Sequence, residues 1–243
     1  MENSTKPFNF PEGEVLLIEK PYEWTSFDAV NFIRSFLRKI YGWKKLKVGH
    51  AGTLDPLATG LLIICTGKFT KKIDDFQGLD KIYVGSMHLG ATTPSYDRET
   101  EIDREFDISG IDEEMLKKTA KLFEGNIEQI PPKFSAIKIK GKRAFKYARR
   151  NEEVKLKTRE VTINDFTILN IDLPSIDFSV SCSKGTYIRS LVRDYGEELN
   201  NGAYLTQLCR TKIGDFNLAN ALSLENFKKE VLRQTESPEN KTS

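Results

Sequence analysis

Between residues 48 and 60 the chain reads V-G-H-A-G-T-L-D-P-L-A-T-G, and this run limits the fold more sharply than any other. Glycines at 49, 52 and 60 admit backbone conformations closed to other residues, while Pro56 fixes its own φ and removes a donor. A regular helix is therefore excluded across the run. It reads as a loop that delivers the chain into a buried strand over residues 61–66, LLIICT. Asp55 is the single carboxylate on the run, displayed just before the stiffening proline. Taken alone, an Asp-Pro pair is better read as capping a turn.

On either side the periodicity alternates between two and 3.6 residues. Residues 15–19 read as a strand running into Lys20-Pro21, where the proline excludes helical geometry from the residue before it. Thr25-Ser26-Phe27-Asp28 has the form of a capping box, and Phe27, Val30, Ile33, Leu37 and Ile40 keep helical spacing. Further strands are predicted over 81–89, 134–140, 154–169, 176–183 and 205–213. In the first of these Ile82 and Val84 alternate with Tyr83, Gly85 and Met87, and in the fourth Ile176, Phe178, Val180 and Cys182 alternate. Helices are predicted over 112–124, 144–150, 186–199 and 224–232. Strands and helices mix without a regular βαβ beat, which points to an α+β fold.

Composition removes several function classes. With 243 residues, 39% hydrophobic and 30% charged, the chain can bury a full core. The longest apolar run, residues 61–65, is far short of the roughly 20 residues of a membrane helix, and the start lacks the apolar segment of a secretory signal. A cytoplasmic protein with no membrane partner is expected. Three cysteines and two histidines, none in C-x-x-C or H-E-x-x-H spacing, predict neither a disulfide framework nor a metal site.

The net charge of +2 conceals a contrast. Residues 133–159 hold eleven basic and two acidic side chains, a local net of +9; residues 34–47 hold six basic and none acidic; residues 97–114 hold nine acidic and two basic. Basic segments interleaved with Phe134, Phe145 and Tyr147 suit a polyanion, since Lys and Arg displace counterions from phosphates and aromatic faces stack on bases. A solvated helix face is the plainer reading of a single charge run.

A second constellation is S-C-S-K-G-T-Y-I-R over residues 181–189. A strand ends in Lys-Gly there and a helix begins, placing Arg189 in the first turn, where a cation opposes the helix dipole. Such an arginine calls for an anion elsewhere, and a carboxylate accepts its fork best. Tyr83, read by itself, is a core aromatic.

G-H-A-G-T-L-D-P-L-A-T-G (49–60), K-I-Y-V-G (81–85) and C-S-K-G-T-Y-I-R (182–189) resemble the three signature motifs of the TruB-type tRNA pseudouridine synthases. The resemblance extends to Lys20-Pro21 with Thr25-Ser26, to residues 129–149 and to 208–214, and so covers nearly all of 14–216. It implies a pseudouridine synthase fold, with a central mixed but mainly antiparallel sheet flanked by helices. Residues 14–232 would form the catalytic domain, with 129–159 as a basic thumb-like insertion. Residues 1–13 would be an N-terminal extension, 233–243 a disordered tail, and no PUA domain would follow.

The resemblance also implies the chemistry. A uridine in the T loop of tRNA would be flipped out, its N-glycosidic bond broken and the base rejoined through C5, with no metal or cofactor. Asp55 matches the catalytic aspartate, acting either as nucleophile at C1′ or as base at C2′. Tyr83 matches the tyrosine that stacks on the base, and Arg189 the arginine that pairs with the aspartate. Tyr187 and Leu208 match residues lining the base pocket. Lys20, His50, Lys140, Lys142 and Arg143 are expected to bind substrate, His50 being equally compatible with a structural role. The partner implied is the tRNA T arm, bound by a monomer without an obligatory protein partner.

Two positions depart from the family pattern. Glu23 stands where a glycine is usual, and T-P-S-Y-D (93–97) replaces T-D-T-x-D. A non-catalytic RNA chaperone gripping the same arm would need the basic segments but not Asp55, Tyr83 and Arg189 together. A synthase acting on a different RNA is the other rival.

Overall fold

The computed structural model describes residues 7–135, 137–139, 141–144, 147, 150, 152 and 156–236. Its strands are β1 (Val15–Lys20), β2 (Val48–Ala51), β3 (Ala58–Thr66), β4 (Lys81–Leu89), β5 (Ala91–Thr92), β6 (Arg104–Glu105), β7 (Gly125–Gln129), β8 (Lys138–Ile139), β9 (Lys142–Arg143), β10 (Arg159–Asp172), β11 (Ser175–Cys182), β12 (Ala203–Ile213) and β13 (Phe216–Asn217). The helices are α1 (Ser26–Tyr41), α2 (Ile73–Gly78), α3 (Glu113–Leu122), α4 (Ile188–Glu198) and α5 (Leu224–Glu236), with two short 3-10 turns. This is the α+β architecture expected, and its main strand pairs are antiparallel. The chain divides into two compact units, residues 1–79 with 209–243 and residues 80–208.

In the first unit the strand order is β1–β3–β12, with β2 also pairing β3 and β13 pairing β12. All of residues 61–66 are buried, because alternate residues of β3 enter different cores. Leu62 and Ile64 pack with Leu16, Ile18, Ile33, Leu37 and Phe227. Leu61, Ile63 and Cys65 pack with Ala51 and Ile213. A strand covered on both faces reads as a continuous apolar run, which is how this one looks in sequence. The capping box at α1 forms as expected: Thr25 Oγ1 accepts from Asp28 N (3.0 Å) and the Asp28 carboxylate accepts from Thr25 N (2.9 Å).

Both ends of the chain differ from the sequence expectation. Phe10 is fully buried in the same core as Phe227, and Phe8 N donates to Gln234 Oε1 (2.9 Å). Phe10 is thus part of the core and Phe8 packs against it. The last helix continues to Glu236 with Gln234 buried, four residues past the predicted end, because that amide has a backbone partner a polar tail would lack. The disordered-tail expectation therefore fails for 233–236, and 237–243 lie outside the described residues.

In the second unit the order is β12–β4–β11–β10–β7, residues 203–208 of β12 belonging here and 209–213 to the first unit. The strand predicted over 81–89 forms with those bounds, and its buried face carries Lys81, Tyr83, Gly85, Met87 and Leu89. Ile176, Phe178, Val180 and Cys182 all point inward, as their alternation requires. Phe166, Phe178, Tyr195 and Phe123 pack in tilted and edge-to-face pairs at centroid distances of 5.6–6.4 Å, and Tyr195 Oη donates to Leu116 O on α3 (2.9 Å). The strand expected from residue 154 begins at Arg159 and runs on to Asp172. The strand and helix expected over 134–140 and 144–150 fall partly on residues outside those described; among the described residues β8 and β9 pair antiparallel.

Candidate active site

The structure shortens the loop that carries Asp55. β2 takes residues 48–51 and β3 begins at Ala58, so only residues 52–57 are irregular. The turn is tight: Ala58 N donates to Asp55 O (3.1 Å), and Glu23 N donates to Pro56 O (2.9 Å). Ser26 at the start of α1 exchanges hydrogen bonds with buried Leu54, accepting from its N–H (2.8 Å) and donating to its carbonyl (3.2 Å). Asp55 itself is half-buried.

Two buried cations fasten this turn. Lys20 is fully buried, its ammonium donating to the carbonyls of Pro21 (2.8 Å), Trp24 (2.5 Å) and Pro56 (3.3 Å). Arg210 on β12 is 1% exposed. Its Nε donates to Leu61 O (2.8 Å) and its Nη2 to Gly52 O (3.0 Å), so one guanidinium ties the two ends of the loop. Gly60 is needed for this closeness, since at φ 102° a Cβ would stand 2.4 Å from Arg210 O. Burial pushes the Lys20 ammonium down to about 8; the Arg210 charge acts in the same direction, while Asp55 and Asp28 oppose it. The Lys20 and Asp55 charges therefore sense one another. Lys20 faces backbone carbonyls from a buried position, not the solvent-facing one that substrate contact would call for. His50 on β2 is lowered from its ordinary value, first by burial and then by Arg210, with the Gly52 backbone opposing. Its ring is neutral at pH 7.

The remaining described site residues lie in the second unit. Tyr83 is 8% exposed on β4, in register with Val180. Two residues on, a Cβ at Gly85 would meet Gln207 O at 2.5 Å and Leu208 Cδ1 at 3.2 Å, so β12 approaches closely and brings Leu208 against β4. Tyr187 is the N-cap of α4 and is gripped through its backbone. The fully buried Gln129 side chain accepts from Tyr187 N (2.8 Å) and donates to Tyr187 O (3.1 Å), while the Arg159 guanidinium lies 5.2 Å from the ring centre.

Arg189, two per cent exposed, donates to Ser95 O (3.2 Å) and Phe134 O (2.9 Å). Its Nε lies 3.5 Å from the buried Asp97 carboxylate. Asp97 is an anion of the kind that a cation in the first turn of α4 requires. It is reached through a strained turn: Tyr96 has φ 62°, a left-handed conformation unusual for a bulky residue, and its ring is covered by Arg193 at 4.8 Å. Glu23, the other departure from the family pattern, also sits in that region at φ 64°, so the conformation a glycine would adopt freely is kept without one.

Lys140 lies outside the described residues, and of Lys142 and Arg143 the structure describes only the backbone in β9. Sequence reasoning missed Arg210, Asp97 and Gln129. Arg210 gave no clear signal, since its strand also carries Thr206, Gln207, Thr211 and Lys212. Asp97 was masked by the acidic run it begins, and Gln129 had no signal. Among the described residues no three His, Cys, Asp or Glu side chains are grouped to hold a metal ion, and no helix is long and apolar enough to cross a membrane.

Residues 38–188 match the family profile described as TruB family pseudouridylate synthase (N terminal domain). The chain is 54% identical to a tRNA pseudouridine synthase B of Flavobacterium johnsoniae, over 93% of this chain and 99% of that protein. It is also 54% identical to one of Phocaeicola vulgatus, over 90% and 93%. Among solved structures it resembles a chain of a Cbf5–Nop10–Gar1 complex, with a TM-score of 0.69 and 27% identity over 93% of this chain. It spans 56% of that solved chain. A chain of an H/ACA RNP bound to a substrate RNA containing 2′-deoxyuridine gives 0.65 and 25%, over 90% of this chain and 53% of that one. These matches agree with the motif-bearing strands and helix traced above: the chain belongs to the TruB family of pseudouridylate synthases, which are isomerases.

Proposed function

We propose that the protein converts a uridine in the T loop of tRNA to pseudouridine, with Asp55 as the catalytic carboxylate. The observation that carries this reading is the mounting of Asp55: a single carboxylate on a six-residue turn, fastened at Gly52, Pro56 and Leu61 by two buried cations. A rigid half-buried carboxylate suits attack at a sugar carbon or removal of its neighbouring proton better than it suits capping a turn. The names of the relatives support tRNA as the substrate.

In the proposed reaction the target nucleotide leaves the stack, which costs a few kcal/mol offset by phosphate contacts and aromatic stacking. The N1–C1′ bond breaks, the base turns, C5 bonds to C1′, the C5 proton is lost and N1 gains one. Asp55 acts at the sugar as nucleophile at C1′ or base at C2′. Tyr83 stacks on the base and helps to remove the C5 proton, and Tyr187 and Leu208 line the base pocket. Arg189, oriented by Asp97, pairs with the catalytic carboxylate. Lys20 acts by holding the turn instead of touching RNA, whereas His50 lies at the edge of the substrate-binding surface, its ring hydrogen-bonded to the Gly52 backbone. The basic segment 129–159, with Lys140, Lys142 and Arg143, closes on the T arm. No step calls for a metal or cofactor.

Incubating the protein with an unmodified tRNA transcript, followed by carbodiimide labelling and primer extension, tests this reading. One new stop at the T-loop uridine is expected. Stops only in other cellular RNAs, or none despite tight tRNA binding, would overturn it in favour of another substrate or of a chaperone.

A further inference from the structure

The basic segment of residues 34–47 has no part in the reaction outlined above, yet the fold gives it a definite surface. Residues 42–47, between α1 and β2, face the 3-10 turn Gly67–Lys72 within the first unit and enclose a cavity of about 520 Å³. Its lining includes Lys45, Lys47, Lys68 and Lys71, together with Trp43 and Thr70, and no acidic side chain. All four lysines are exposed. Glu12 pairs with Lys68 at 2.6 Å, both groups remaining largely in solvent.

The walls are set by backbone. Gly67 N donates to Lys47 O (2.9 Å), joining the two segments. Gly42, at φ 67°, ends α1 and turns the chain, Trp43 N donates to Arg38 O (3.1 Å), and the Trp43 ring stacks on Tyr41 at 4.4 Å. The side chains around the opening are thereby held on a rigid frame. With Lys68 offset by Glu12, the three like charges of Lys45, Lys47 and Lys71 at one opening repel each other in the free protein, and an anion relieves that repulsion.

We infer that this cavity binds the phosphodiester backbone of the substrate RNA away from the reacting nucleotide, an inference that rests on the RNA-modifying function proposed above. Exposed lysines act as point charges without a fixed fork. Such groups fit a sugar-phosphate backbone read without sequence preference better than a small anion held in a buried, fully hydrogen-bonded site. A free nucleotide or inorganic phosphate shares the chemistry and is the alternative source.

The test is the salt dependence of tRNA binding, measured on the full chain by filter binding, so that it does not depend on turnover. The K45Q/K47Q/K71Q variant should lose roughly tenfold or more in affinity at moderate salt. The slope of log K against log [KCl] should flatten by about two to three, near 0.9 for each phosphate no longer neutralised. Saturating tRNA should restore a kcat within about twofold of wild type, with the loss appearing in KM. A K117Q/K118Q/K229Q variant, with equal charge removed elsewhere, should change the slope by less than half as much. An unchanged slope, or an equal change in both variants, would overturn the proposal. So would competition by millimolar phosphate or ATP that leaves the tRNA slope unaltered, which would assign the cavity to a small anion. Should the wild type bind tRNA but modify none, the functional reading fails while the slope still decides the cavity.

Discussion

The regions around Asp55 and Arg189 solve opposite problems by different means. Around Asp55 two buried cations, Lys20 and Arg210, are satisfied almost wholly by backbone carbonyls, so their positive field remains available to a carboxylate. Around Arg189 the buried cation has a carboxylate of its own, Asp97, in addition to two carbonyls. One region displays an anion on a cationic frame; the other supplies a cation whose charge is already partly balanced. A group meant to be poised is tied by its neighbours' backbone, while a group meant to be oriented is tied by a counter-ion.

Removing a side chain should therefore do most harm where a counter-ion is left behind. Arg189→Met leaves the buried Asp97 carboxylate without this cation, though Glu99 N still donates to it, a loss of about 3 kcal/mol, read as a lower urea midpoint. Its single-turnover rate should fall ~100-fold or more. Arg189→Lys, without the fork, should recover little of that rate. Asp97→Asn, by contrast, should fold and retain more activity than Arg189→Met; equal defects would erase the distinction between the regions.

Next comes Arg210→Met, which leaves the carbonyls of Gly52 and Leu61 without their donor. About 1–3 kcal/mol for each unsatisfied group predicts a lowered denaturation midpoint, with a rate loss of roughly tenfold as the Asp55 turn loosens. An unaltered rate in a destabilised protein would show that Arg210 serves folding alone.

Lys20 gives a pH signature. Burial holds it near 8 in the folded protein, against 10.5 for an exposed lysine. Between these values the unfolded chain binds more protons, so this site's contribution to stability rises with pH across that window and is constant below it. Subtracting the stability-versus-pH curve of Lys20→Met from that of wild type should isolate this rise, and parallel curves would deny it.

The smallest effect separates two left-handed residues. Glu23→Gly should stabilise by about 0.5–1 kcal/mol, the relief of backbone strain exceeding the entropy added to the unfolded chain. Tyr96→Gly should destabilise, because the ring also covers Arg193. A gain in both would mean that neither position holds its strain for a purpose.

The same contrast explains what could be read from the sequence. Part of the Asp55 region is built from near neighbours, so glycine spacing, the capping box and Lys20-Pro21 were legible in the order of residues alone, whereas Arg210, 149 and 158 residues from the carbonyls it holds, was not. The apolar run of β3 likewise announced a strand buried on both faces. The Arg189 region depends on partners 58–94 residues away, Gln129 on Tyr187 and Ser95 on Arg189. Such pairings leave no periodic trace. Helix-dipole reasoning predicted that Arg189 needs an anion but could not name Asp97, which was hidden in an acidic run. The sheet order was also beyond reach, since β12 lies far in sequence from both strands that flank it.

The most direct test of the account is tritium release from a tRNA transcript labelled at uridine C5, compared between the wild type and Asp55→Asn. Forming the C5–C1′ bond must expel that hydrogen. The account predicts release by the wild type, at most one label per T-loop uridine, and none by the variant despite tRNA affinity within about threefold, since an isosteric amide keeps shape and loses only charge. Release by Asp55→Asn at a wild-type rate would contradict it.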